Sequence, residues 1–332
     1  MENKLYTKQE VIDFINNGRV MLLTGSQEAL SGLPKGNWIG GTSYYFVDTV
    51  GKEGGDDKIF VDDFTLVAQN CKTAVYDENN IQDIAKNGFK NGFVVVVLPI
   101  DSQVYYTFAN NALGYENMFD NPVVGYIAAT KMEDYGKKSP QTATGMDGKL
   151  TNSLASVLYV ELPDYLAARA EIENFDTIDA KSPRIVFPKN GFTQSDCTID
   201  GKPGNIADYF ENVIKPRLGG YTQMITSQNG ALINRDIKIV DPKKGEVTFF
   251  SPVYAGDEYY FVDSSADYLS MFNRSLGSKR CDVLTCFSCI SYYFGGKFEG
   301  RGVCKNGIYA FGEIGYQLLN KTVVTLEIDK VK

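Results

Sequence analysis

Cysteines and carboxylates are the residues of this chain with most chemistry open to them. Cys281, Cys286 and Cys289 stand in C-x4-C-x2-C spacing, with Cys304 beyond. That is the spacing of plant-type iron–sulfur ligands. Cluster ligands sit on loops, whereas residues 283–293 read as one apolar strand. In a strand Cys286 and Cys289 point to opposite faces, because their separation is odd. The cysteines therefore read as reduced thiols packed as small hydrophobes, and neither metal nor cofactor is expected. Cys289 as a nucleophile would need a cationic neighbour, and Arg280 and Lys297 are not adjacent to it. Glu313 lies between apolar residues; its carboxylate could meet a ligand ammonium or a structural hydrogen bond. Asp56-Asp57 and Asp62-Asp63 do not fit a calcium loop and read as a solvated loop and a strand edge.

The 332 residues contain no histidine. Ser-His-Asp triads, Cys-His dyads and His-bearing zinc sites are thereby excluded. The usual general base near neutral pH is missing too, so no enzyme activity is expected. A formal net charge of −8 and the absence of any basic run argue against a nucleic-acid partner. The most apolar run, 93–100, is too short to span a membrane, and the N-terminus lacks the apolar core of a signal peptide. A cytoplasmic location is expected.

Apolar spacing predicts a helix over 6–17, with Thr7 capping it and Glu10 completing a capping box. Strands are predicted over 20–23, 38–46 (broken at Gly40-Gly41), 59–70, 93–100, 122–127 and 154–162, and residues 25–37 read as loop. Helices are predicted over 81–86, 105–113, 163–174, 206–214 and 265–276. Further strands fall at 233–240, 246–250, 259–262, 283–293, 308–311 and 322–328. Helices falling between groups of strands favour α+β over a doubly wound fold. The expected organisation is two similar halves, 1–180 and 181–332, with mixed sheets flanked by helices, a layered sandwich being one arrangement. Residues 38–43 and 308–315 both set glycine beside aromatics, as a long-period repeat would.

The run Val283-Leu284-Thr285-Cys286-Phe287-Ser288-Cys289 resembles a strand of the FIST sensory-domain family. Gly312-Glu313-Ile314-Gly315 looks like its Gly-Glu-Ile segment, and Asn320-Lys321-Thr322 its closing Asn-x-Thr. Residues 199–203 resemble the junction of the family's two halves. Ile39-Gly40-Gly41-Thr42-Ser43 and Val123-Val124-Gly125-Tyr126 look like its N-terminal glycine motifs. These segments follow family order along most of the chain. The resemblance implies a module that binds a small ligand, such as an amino acid or small organic acid, and signals through a partner protein. The ligand would be held by Gly40, Gly41, Thr42, Ser43, Tyr44, Gly125, Tyr126, Cys289, Ser291, Tyr292, Gly312 and Glu313. Glycine there lets a ligand approach backbone N–H groups, although bulges and turns use glycine too. Tyr292 stands where many relatives carry arginine, which would clamp a carboxylate. A protein-interaction module without a ligand, and a thiol enzyme using Cys289, are the alternative readings.

Overall fold

Thr7 caps the first helix, Lys8–Asn16, and Glu10 closes the capping box, as the spacing predicts. The computed structural model describes residues 4–47, 52–53, 57–218, 223–228, 230–263, 267–278, 282–301 and 306–331. Asp56, Arg280, Cys281 and Cys304 lie outside the described residues. The fold is α+β with several mixed sheets, one of them curled. Two compact units result: residues 1–173, 268–318 and 323–332 form the first, residues 174–267 and 319–322 the second. The chain thus leaves the first unit just before residue 180 and returns to it at Tyr268. The physical reason is pairing: the C-terminal strand Val323–Lys330 lies between Leu166–Glu173 and Asp282–Cys289.

The first unit runs through one topology three times. The first module is strand Lys4–Thr7, helix Lys8–Asn16, strand Met21–Gly25, helix Gln27–Leu30, strand Trp38–Thr42 and strand Lys58–Asp63. The last strand inserts between the first two, and the Met21–Gly25 and Trp38–Thr42 strands are parallel. The second module repeats this with Asn70–Tyr76, Gly92–Pro99, Val123–Ala128 and Ala155–Glu161. The third uses Leu166–Glu173, Asp282–Cys289, Gly307–Ala310 and Val323–Lys330. The second unit is inserted after the third module's first strand.

Each module also sends an arm to another module's sheet. Tyr45–Val47 of the first pairs with Gly307–Ala310 of the third. Thr142–Thr144 of the second pairs with Trp38–Thr42 of the first. Glu313–Gly315 of the third pairs with Val123–Ala128 of the second. The exchange is cyclic, so every module completes one sheet and is completed by another. The residues 38–43 and 308–315 that suggested a long-period repeat begin on equivalent strands, the second run continuing through the turn into the third arm.

Several local expectations are corrected. Residues 163–174 are not a helix: Leu166–Glu173 is a strand paired along its whole length with Val323–Lys330. Its alanines favour helix locally, but eight cross-strand pairs decide the outcome. The predicted strand over 38–46 breaks after Thr42, at Ser43-Tyr44, and its two parts join different sheets. Residues 25–37 hold a short helix capped by Ser26, and residues 59–70 end as a strand at Asp63. Asp62 and Asp63 are buried, paired with Leu22 and Met21, and not at a solvated edge.

The second unit is a single sheet, built on the strands Gly191–Gln194, Glu246–Val253, Ala231–Asp241, Gln223–Gln228 and Glu258–Asp263 in that order. Helical turns from Ile206 to Leu218 pack Ile206, Ala207, Phe210 and Ile214 onto one face. Among the described residues no helix is long and apolar enough to cross a membrane.

Candidate functional site

Three of the four expected segments meet in the first unit. Gly40 and Gly41 lie on Trp38–Thr42, Gly125 and Tyr126 on Val123–Ala128, and Glu313 opens the third arm, directly opposite Tyr126. The Tyr126 hydroxyl donates to the Gly41 carbonyl at 2.9 Å. A phenol has one proton to give, so the Thr24 hydroxyl, also 2.9 Å away, donates to Tyr126. Burial pushes the Tyr126 phenol far above its ordinary range, which keeps it a neutral donor.

The glycines permit this convergence by letting backbones touch. A methyl on Gly125 would lie 1.8 Å from the Val96 carbonyl oxygen, and its φ of +153° disfavours any side chain. On Gly41 it would lie 2.6 Å from Val97 Cγ1 and 3.0 Å from the Tyr126 oxygen. On Gly40 it would meet the Leu23 carbonyl oxygen at 2.3 Å. These contacts place protein atoms against all three.

Backbone bonds tie the arms together. Thr42 exchanges bonds with Gln141, donating at 2.8 Å through N and accepting at 3.0 Å through Oγ1. Its carbonyl accepts from Ala129 N at 2.7 Å, and the Gly312 carbonyl accepts from Ile127 N at 2.9 Å. Ser43 Oγ donates to the Tyr309 carbonyl at 2.8 Å. Tyr44 stacks its ring below Lys131 Nζ, 5.4 Å away.

The fourth segment is placed differently. The strand ends at Cys289, which caps the short helix Ile290–Gly295, so Ser291 and Tyr292 are helical rather than strand residues. Cys289 Sγ donates to Ser291 Oγ at 3.4 Å, and Tyr292 packs its ring 5.1 Å from that of Tyr268. Cys286 and Cys289 do fall on opposite faces of one strand, as their spacing requires. Among the described residues no group of three or more Cys, Asp or Glu is disposed to hold a metal ion.

The three arms supply an internal comparison that sequence reading missed. Tyr45, Thr142 and Glu313 occupy the same position, first in the arm and opposite Tyr309, Gly41 and Tyr126 respectively. Tyr45 accepts from the Met132 N–H at 3.0 Å, and Thr142 donates to the Leu154 carbonyl at 2.7 Å. Both are neutral. Glu313 alone of the three carries an ionisable carboxyl, and it is 0% exposed.

The second unit holds none of the expected site residues, yet it buries a polar network of its own. Lys321 Nζ lies 3.1 Å from Asp176 Oδ2 and donates to Gln223 Oε1 at 3.0 Å. Asn234 Nδ2 donates to Asp176 Oδ2 at 2.7 Å, and Ser251 Oγ to Asn320 Oδ1 at 2.6 Å. Asn320-Lys321-Thr322 was legible as a motif, but its buried partners from 174–251 were not.

An α+β scaffold of three arm-exchanging modules with one inserted sheet is thus the class of protein defined here. The chain belongs to the family described as "Family of unknown function (DUF6976)", whose profile matches residues 6–329. No curated protein matches it.

Proposed function

We propose that this protein is a cytoplasmic, non-catalytic sensory protein that binds a small molecule in its first unit and signals through a partner protein. One observation carries the reading: the threefold pattern is broken by a buried carboxylate. Two arms fill the equivalent position with neutral hydroxyls, so the topology itself does not require an acid. A buried carboxyl has to be compensated by partners of its own, a demand the neutral hydroxyls at the other two positions do not make. An ionisable group kept at one of three equivalent positions is expected where that position has a task. The ordered FIST-like segments support the same reading, as does the pairing of Glu313 opposite Tyr126. A ligand with an ammonium or another donor, such as an amino acid, suits Glu313.

Thermal-shift titration with amino acids and small organic acids tests the proposal, since a ligand that binds only the folded state raises its stability. The wild-type melting temperature should rise with one ligand class, and Glu313→Gln should lose that response while still melting cooperatively. A flat response across the whole library rejects the reading.

A further inference from the structure

In the second unit, Arg235 is a buried cation of a different kind from Lys321. It lies on Ala231–Asp241, paired with Met224, which in turn pairs with Phe261. Paired residues across antiparallel strands share a face, so the Arg235 side chain enters the apolar face that holds Met224, Phe261, Tyr259 and Phe249. It is 1% exposed. Its Nη1 donates to the neighbouring Asn234 carbonyl at 3.1 Å, and Nε is buried with no hydrogen-bond partner. Among the described residues no carboxylate stands within ion-pair distance of it. Asp257 acts on it electrostatically, but Asp257 Oδ2 already accepts from Gln228 Nε2 at 3.2 Å. Burial pulls the guanidinium below its ordinary pKa, the tyrosines and Asp257 opposing the shift.

A guanidinium offers five N–H donors in a planar fork and cannot shed its charge in a protein. Leaving its buried Nε–H unpaired inside an apolar layer is unfavourable unless an acceptor arrives to take it. The Tyr254 ring stands 5.8 Å from the guanidinium carbon, and beyond it Ala255 and Gly256 are exposed, Gly256 in the left-handed region at φ +85°. The Tyr259 hydroxyl accepts from Tyr254 N at 2.8 Å and also hydrogen-bonds the guanidinium.

We propose that Arg235 is the anchor of a binding site for a small monocarboxylate, entered beside Tyr254. The planar, bidentate geometry of a carboxylate matches the fork. Charge selects against a phosphate dianion: one guanidinium, with Asp257 nearby, compensates one negative charge and not two. Every residue of this site belongs to the second unit, so it stands or falls separately from Glu313.

The test is thermal melting of the whole protein in acetate, phosphate and chloride at matched ionic strength and pH. Acetate should raise the melting temperature in a concentration-dependent way above chloride, with phosphate weaker than acetate. Arg235→Met should weaken the apparent affinity for acetate by about tenfold or more, and Arg235→Lys, which keeps the charge without the fork, should fall between. Equal melting in acetate and chloride overturns the site; so does an Arg235→Met protein that keeps the wild-type response. Phosphate acting as strongly as acetate overturns the ligand class. If the Arg235 variants do not fold, arginine Nε–H signals of the wild-type protein are followed by nitrogen-15 NMR during an acetate titration. Movement of a solvent-protected arginine signal supports the site, and no movement rejects it.

Discussion

The first unit repeats a plan three times and lets single residues depart from it, whereas the second builds one sheet once and ties it with buried charge. The difference decides how a residue can be judged. In the first unit each position has two counterparts. Gly40, Gly125 and Ile308 face Leu23, Val96 and Phe287 across equivalent parallel pairs. The plan therefore accepts a branched side chain at Ile308; glycine at the other two answers to local contact. In the second unit no counterpart exists, and a residue is read from its partners alone.

The largest effect should separate these two kinds of evidence. Gly125→Ala puts a methyl against the Val96 carbonyl at a φ that alanine avoids. Two paired strands must part to relieve it, so a loss above about 4 kcal/mol is expected in urea unfolding. A loss below about 1 kcal/mol would mean that the strands yield readily and that the close approach is incidental.

Next comes the second unit's own tie. Lys321→Met leaves the Asp176 carboxylate buried beside Asn234 without the Lys321 ammonium. Breaking one side of such a pair costs about 3–5 kcal/mol. The double variant Lys321→Met/Asp176→Leu should recover most of that loss. If the double variant is no better than the single one, the pair is not what holds the Asn320–Thr322 segment in this unit.

How much of this was readable beforehand follows the range of the interactions. The helix at Lys8–Asn16 was legible because its cap and box lie within four residues of one another. Gly92–Pro99 was legible because a strand buried throughout needs four consecutive valines. Leu166–Glu173 was misread because its fate depends on a strand some 150 residues later, and its alanines say helix. The threefold plan was nearly invisible: the modules share topology, while equivalent positions hold glycine, tyrosine or threonine as local packing demands. Of the candidate site, the meeting of Gly41, Tyr126 and Glu313 was foreseen, but Ser291 and Tyr292 were put on a strand that ends at Cys289. Arg235 gave no signal, since one arginine in an alternating strand looks like an exposed one.

A smaller effect is expected at Tyr126, whose counterparts are Gly41 and Tyr309. Tyr126→Phe keeps the ring, which stacks 6.1 Å from Phe287, and strips the hydroxyl. The Gly41 carbonyl and Thr24 hydroxyl then lose their shared partner, at a cost of about 1–3 kcal/mol. An unchanged urea midpoint would show that those two groups find each other or water instead.

The mildest comparison uses pH, and its sign can be worked out. In the second unit burial raises the Cys197 thiol from 9.0 to about 11, with Asp196 adding to the shift, and burial raises Tyr259 from 10.0 to about 12. In the first unit burial raises Tyr115 from 10.0 to about 12. Each folded-state pKa lies above the unfolded one, so the folded chain holds its protons while the unfolded chain releases them. Stability contributed this way is complete below the unfolded pKa and is lost as pH climbs through the folded one. Between about pH 9 and about pH 10 the Cys197 thiol is the first of these three groups to act. Cys197→Ala should flatten the fall in urea midpoint over that interval and leave the steeper fall above it, where the tyrosines titrate. A Cys197→Ala curve parallel to wild type throughout would mean that the thiol meets water more freely than its place beside the Gly204 carbonyl, 3.7 Å away, implies.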